Sequence, residues 1–141
     1  MKSLHVCFIC NEYPPAPHGG IGTMVQALAR ALVQKGHRVT VVGVYQADRV
    51  AREDDKKVQV IRIPHAHVPK LGIVANAVRL RKTIRELHRE SPIDVLEGPE
   101  GSLAFLPHRS PFPRIVRMNG GHTFFAKTLG KEPAFVRSQI E

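Results

Sequence analysis

The residues best suited to chemistry form one loop: Asn11-Glu12-Tyr13-Pro14-Pro15-Ala16-Pro17-His18-Gly19-Gly20-Ile21-Gly22-Thr23. It lies between an apolar run, Leu4 to Cys10, and a helical pattern, Met24 to Lys35. A strand that passes through a glycine-rich turn into a helix gathers unpaired backbone N–H groups and the positive end of the helix dipole at one point. Such a point binds anions. Glycines there let a ligand approach the backbone closely. The loop is therefore expected to touch a phosphate, a carboxylate or a sugar. Two further segments combine glycine with polar side chains: Glu97 to Ser102, and Asn119 to Thr123 with Gly120 and His122.

Other glycine-loop chemistries narrow the choice. A P-loop needs Gly-x4-Gly-Lys-Ser/Thr, which no segment supplies. A dinucleotide fingerprint needs Gly-x-Gly-x-x-Gly directly after the first strand. Here Gly20-Ile21-Gly22 is followed by Val25 at the third glycine position, and the second strand ends at Val44-Tyr45 with no acidic residue at its tip. An NAD site is disfavoured. Cys7 and Cys10 have the spacing of a redox or zinc pair. Residues three apart on a strand point to opposite faces, and no second pair exists to complete a zinc site. They read as buried strand cysteines, and no metal or cofactor is expected.

These loops need a frame of alternating strands and helices. The first helix is expected over about Thr23 to Lys35, with Val25, Leu28, Ala29 and Leu32 at helical spacing, Thr23 as N-cap and Gly36 as stop. Val39 to Val44 is a nearly continuous β-branched run, as in a parallel strand covered on both faces. Tyr45 to Lys57 is polar and reads as a surface connection, too short for a full helix before the next strand, Val58 to Ile63. In the second helix Ile73, Ala77, Leu80, Ile84 and Leu87 form a stripe predicted to be buried, and Ser91-Pro92 ends it. Strands follow at Ile93 to Glu97 and Arg114 to Met118, with a short helix between them at 102–106. The remainder, Phe124 to Glu141, reads as partly helical. The alternation predicts a Rossmann-like α/β fold: a doubly wound, mainly parallel sheet with helices on both faces. In such a sheet ligands bind outside the carboxyl ends of the strands, where strand order switches. The three glycine-bearing loops all leave those ends, so a cleft is expected between the first, fourth and fifth predicted strands.

The chain has 141 residues, which suits one domain with a proper core, and its 43% apolar content excludes intrinsic disorder. No apolar run is long enough to span a membrane, and Asn11-Glu12-Tyr13-Pro14 is no cleavage site for a leader, so a cytoplasmic chain is expected. The formal net charge of +9 suits nucleic acid, an anionic membrane or an acidic substrate. Low aromatic content and the lack of any nucleic-acid-binding signature put nucleic acid last. Around the apolar stripe of the second helix stand Arg79, Arg81, Lys82, Arg85, His88 and Arg89, so helix 73–90 is a candidate for peripheral contact with anionic lipid. Glu86 and Glu90 on the same helix suit the plainer alternative, a solvated face.

Together these residues resemble a known family. The strand ending in Glu12-Tyr13-Pro14-Pro15, then Gly19-Gly20-Ile21-Gly22, resembles the start of retaining family-4 glycosyltransferases of GT-B architecture. Leu28-Ala29-Arg30-Ala31-Leu32 and Lys35-Gly36-His37-Arg38-Val39-Thr40-Val41 are similar to their next segment, and Ile93-Asp94-Val95-Leu96-Glu97 to their fourth strand. The resemblance implies two Rossmann-like domains, of which residues 1–141 form the N-terminal, acceptor-side one, with the donor-binding C-terminal domain absent and the isolated chain inactive. It implies a nucleotide-sugar donor and a carbohydrate or lipid acceptor. Gly19, Gly20, Gly22 and Gly120 would serve as substrate-binding positions, and Glu97 would bind an acceptor hydroxyl. Asn119 stands where the family often has a histidine near the reacting sugar. Asparagine hydrogen-bonds a hydroxyl but exchanges no proton near neutral pH, so His122 is the candidate for part of that role. The alternative class is a non-catalytic Rossmann-like module that binds a nucleotide or another anion.

Overall fold

The structure, a computed structural model, describes residues 2–103, 109–119 and 129. In chain order it contains β1 (His5–Ile9), α1 (Gly20–Gln34), β2 (Arg38–Tyr45), β3 (Ala51–Asp55), β4 (Val58–Pro64), α2 (Gly72–Glu90), β5 (Val95–Pro99) and β6 (Arg114–Arg117). They build a 6-stranded sheet in the order β3-β4-β2-β1-β5-β6. All neighbours are parallel except β3 and β4. Phe8 of β1 lies level with Val41 on one side and Glu97 on the other.

β1 shows why this chain folds into three layers. Its side chains alternate between faces, and both faces are apolar. Val6 and Phe8 pack with Val25 and Ala29 of α1, whereas Cys7 and Ile9 pack with Leu80, Ile84 and Leu87 of α2. β2 divides in the same way, Val39 and Val41 toward α1 and Val42 toward α2. A strand buried on both faces carries a continuous apolar run, which is how β2 reads in sequence. α1 carries the chain from β1 to β2, and α2 carries it from β4 across to β5. Strand order therefore reverses between β1 and β5, beside the start of α1. The mainly parallel α/β fold read from the sequence is the one observed.

The cysteines behave as buried strand residues. Both are free and buried, on opposite faces of the sheet. Burial pushes the Cys7 thiol up to about 12 and raises that of Cys10, so neither supplies a thiolate near neutral pH.

Three expectations need correction. The polar stretch read as a surface connection contains β3, which pairs antiparallel with β4 at the sheet edge. Its sequence, Ala-Arg-Glu-Asp-Asp, lacks apolar alternation because charged residues are what an edge strand tolerates. The turn into β4 uses Lys56 and Lys57 at φ 53° and 72°, positions where Asn-Gly is the usual hairpin signal. α1 begins at Gly20, so Gly19 rather than Thr23 is its N-cap; the Thr23 hydroxyl donates to the Gly19 carbonyl from inside the first turn. In α2 only Leu80, Ile84 and Leu87 of the predicted stripe are buried, and Ile73 is 62% exposed. Val74 and Val78 of the first half of α2 are exposed as well, so burial on this helix begins at Leu80.

Candidate functional site

The start of α1 is built by groups from far along the chain. Tyr13 is fully buried, and its hydroxyl donates to Asp55 of β3 at 2.6 Å. Asp55 also receives Arg30 of α1 through Nη2 at 2.7 Å and Nε at 3.0 Å, and Gln26 at 3.3 Å. The Arg30 guanidinium, and after it the Tyr13 hydroxyl, hold the Asp55 carboxyl below the usual carboxylate range against the opposing effect of burial. Tyr45 donates its hydroxyl to the Cys10 carbonyl at 2.5 Å and accepts the Tyr13 amide at 3.2 Å. Burial pushes the Tyr45 phenol up to about 12.

Arg62 completes the anchor from the middle of β4. Its Nη1 and Nη2 donate to the carbonyls of Tyr13 and Pro14 at 3.0 and 2.9 Å, and its Nε to Glu53 at 3.0 Å. The guanidinium lies over the Tyr45 ring, 4.6 Å from its centroid. A charged residue within the apolar run Val58 to Ile63 was the signal that sequence reading passed over.

Glu12 then closes the helix end. Its carboxylate accepts the Gly22 amide at 2.8 Å and the Gly19 amide at 3.3 Å. Two amides of the glycine loop are thus satisfied within the chain by an acidic group at the positive end of the helix. The amides of Gly20 and Ile21 have no hydrogen-bond partner among the described residues. Gly22 packs directly against the Glu12 backbone, whereas a Cβ at Gly20 would meet nothing within 4 Å.

Facing this helix end are the carboxyl ends of β5 and β6. Glu97 is buried, not a solvated loop carboxylate, and accepts Arg117 Nε at 2.5 Å. Arg117 is 40% exposed along its side chain, so its remaining donors reach solvent. Asn119 donates its amide to Glu100 and its Nδ2 to the Arg117 carbonyl at 3.2 Å. Ile21, Glu97, Gly98, Arg117 and Asn119 line one shallow crevice between α1 and the β1–β5–β6 edge. The predicted cleft is therefore the place where the first glycine loop, Glu97 and Asn119 meet. Gly120 and His122, the short helix expected at 102–106 beyond Leu103, and the tail apart from Leu129 lie outside the described residues. Arg117 was missed as a site residue, and its place beside Glu97 follows from parallel pairing of strands 20 residues apart.

The crevice itself encloses only about 10 Å³, so a ligand would lie over its mouth rather than within it. The chemistry gathered at this edge, two free helix-terminal amides, a guanidinium and a side-chain amide, suits an anion with a hydroxyl beside it. The glycosyl transferase 4-like domain family matches residues 19–122, and the chain belongs to that family. An uncharacterized 42.6 kDa protein in the cps region of Klebsiella pneumoniae is 29% identical over 65 residues, 46% of this chain and 17% of that protein's length. Among solved structures, the C-terminal domain of a Pyrococcus furiosus hydrogenase is similar with TM-score 0.56 and 21% identity, covering 82% of this chain and 92% of that one. This likeness is one of fold. The catalytic domain of starch synthase IV from Arabidopsis thaliana gives TM-score 0.49 and 22% identity, covering 74% of this chain and 29% of that one. No helix among the described residues is long and apolar enough to cross a membrane.

Proposed function

We propose that this chain is the N-terminal, acceptor-side half of a retaining glycosyltransferase, which moves a sugar from a nucleotide-sugar donor to a carbohydrate, lipid or other small acceptor. It works with a second α/β domain that carries most of the donor site and is inactive without it. The observation that carries this reading is the unpartnered Gly20 and Ile21 amides at the start of α1, on the same edge of the sheet as Arg117 beside the β1–β5 switch, in a chain of this family. Departure of a nucleoside diphosphate develops negative charge, and fixed amides with a guanidinium stabilise it without reorganisation. Glu97 holds the Arg117 fork in place, and Asn119 and Gly120 bind substrate hydroxyls near the reacting carbon. His122 is the group in this loop able to exchange a proton near neutral pH.

The test is calorimetric titration of UDP, UDP-glucose and GDP-mannose into this chain, and into a longer protein in which this chain is joined to a second, donor-binding α/β domain. Only the joined protein is expected to bind tightly and to transfer or hydrolyse sugar. Gly20→Ala in the joined protein is expected to weaken nucleotide binding about tenfold, through lost approach to charged oxygens, with no loss of melting temperature. Tight nucleotide binding by the isolated chain would instead favour the alternative, a self-sufficient binding module.

A lipid acceptor would require the enzyme to reach a membrane surface. Supporting this finer reading, Leu71, Ile73, Val74 and Val78 are all exposed at the first half of α2, with Lys70, Arg79 and Lys82 around them. An apolar face rimmed by cations suits an anionic bilayer. Ile73→Asp/Val78→Asp is expected to weaken cosedimentation with anionic vesicles severalfold, and unchanged cosedimentation would exclude this face.

A further inference from the structure

We propose that the hollow between the second half of α2 and the segment entering β6 is a separate site for a phosphate-bearing ligand. It measures about 420 Å³, and its lining includes Arg81, Arg85, Arg89 and Arg109, with His88 and Phe112. α2 ends where the chain turns into β5, and residues 109–113 lead into β6, so the hollow sits near the amino ends of these strands. The glycine loop and its crevice occupy the opposite edge of the sheet. The hollow is therefore independent of the donor-site argument.

Arg81, Arg85 and Arg89 recur every four residues and so share one helix face, a spacing at which like charges destabilise a helix. Glu86 stands among these cations on the outer side of the helix, where it pairs with Lys82 at 3.9 Å, and Glu90 pairs with Arg52 at 3.1 Å. Among the described residues no carboxylate lines the hollow. The Nε of Arg81 is buried with no hydrogen-bond partner among the described residues. A buried, unpaired donor on a cation is costly, and an incoming anion removes that cost. His88 accepts the Ile93 amide at its Nδ1, 3.0 Å away, so the neutral ring keeps its proton on Nε2 and is a donor there. The ring of Phe112 lies 5.0 Å from that of His88 and seats the 109–114 segment against the helix. The wall of the hollow is thus rich in donors, largely planar guanidinium forks, whose geometry matches phosphate oxygens.

Arg85 and Arg89 are exposed and make no ion pair among the described residues, so they can be replaced without disturbing the core. The probes are inorganic tripolyphosphate, titrated calorimetrically into the full chain, and phosphatidylcholine vesicles with or without phosphatidylglycerol. Arg85→Gln/Arg89→Gln is expected to weaken binding at least about tenfold, while the charge-matched Lys35→Gln/Arg49→Gln changes it little. Selective loss of tripolyphosphate binding identifies a free phosphate compound as the ligand, and selective loss of vesicle binding identifies a lipid headgroup. The proposal is overturned if neither probe binds the unmodified chain. Equal weakening by the two double variants would also overturn it, because net charge alone would then account for the binding.

Discussion

Replacing Gly22 by alanine is expected to destabilise the protein by about 2–3 kcal/mol, the upper range for forcing atoms into a packed site. A Cβ at this position would stand 1.9 Å from the Glu12 carbonyl oxygen and 2.9 Å from the Glu12 carbonyl carbon and the His18 Cβ. No rotamer change relieves an overlap with backbone, so either the 12–18 loop or the first turn of α1 must move. Movement also breaks the 2.8 Å bond from the Gly22 amide to the Glu12 carboxylate. Alanine is the better helix former by about 1 kcal/mol, and this offsets only part of the loss. The same substitution at Gly20, where a Cβ meets nothing within 4 Å, has the helix preference without the overlap. Urea denaturation is expected to lower the midpoint for Gly22→Ala and leave it equal or higher for Gly20→Ala. Equal stability of Gly22→Ala and the parent would contradict the close seating of the loop on the helix. The contrast separates the two glycines, since Gly22 is fixed by packing against the Glu12 backbone while Gly20 faces open space.

Arg62→Met is expected to cost about 2–3 kcal/mol, the range for losing charge-assisted hydrogen bonds in a buried setting. Arg62 is 7% exposed. Its removal strips donors from the Tyr13 and Pro14 carbonyls, both part of the segment that delivers Glu12 to the helix end. Methionine matches the stem but offers no donor, and the Tyr45 ring loses the cation 4.6 Å from its centroid. The Glu53 side chain is 43% exposed and regains water, so the ion pair itself contributes little to the loss. Arg62→Lys is expected to recover only a small part, because one ammonium cannot replace a planar fork that serves three partners. Chemical denaturation of both variants measures this. Full rescue by lysine would assign the stability to charge alone and refute the role of the fork.

Much of the fold was legible because its signals are local. The both-sided apolar runs of β1 and β2 marked a covered parallel strand, and the glycine loop after β1 marked a helix end at the ligand-binding edge. Glu97 and Asn119 were placed at that edge by counting strands. β3 was illegible because an edge strand of charged residues, joined to β4 through a lysine pair, has neither of the usual hairpin cues. The anchoring of the site was hidden for a different reason. Glu12 caps amides seven and ten residues downstream, outside the short spacing of a capping box, and Arg62 reaches carbonyls 48 and 49 residues upstream.

The sequence by itself determined the layered α/β class, the burial of both cysteines, the edge of the sheet that gathers the glycine loop with Glu97 and Asn119, and the resemblance to family-4 glycosyltransferases. Hydrophobic period and glycine placement carry such facts within a dozen residues. Only the tertiary structure decided which amides at the start of α1 stay free, which arginine shares their edge of the sheet and where the arginines of α2 meet Arg109. Those outcomes depend on hydrogen bonds and charges between segments distant in the chain, and no local pattern encodes which donor reaches which acceptor.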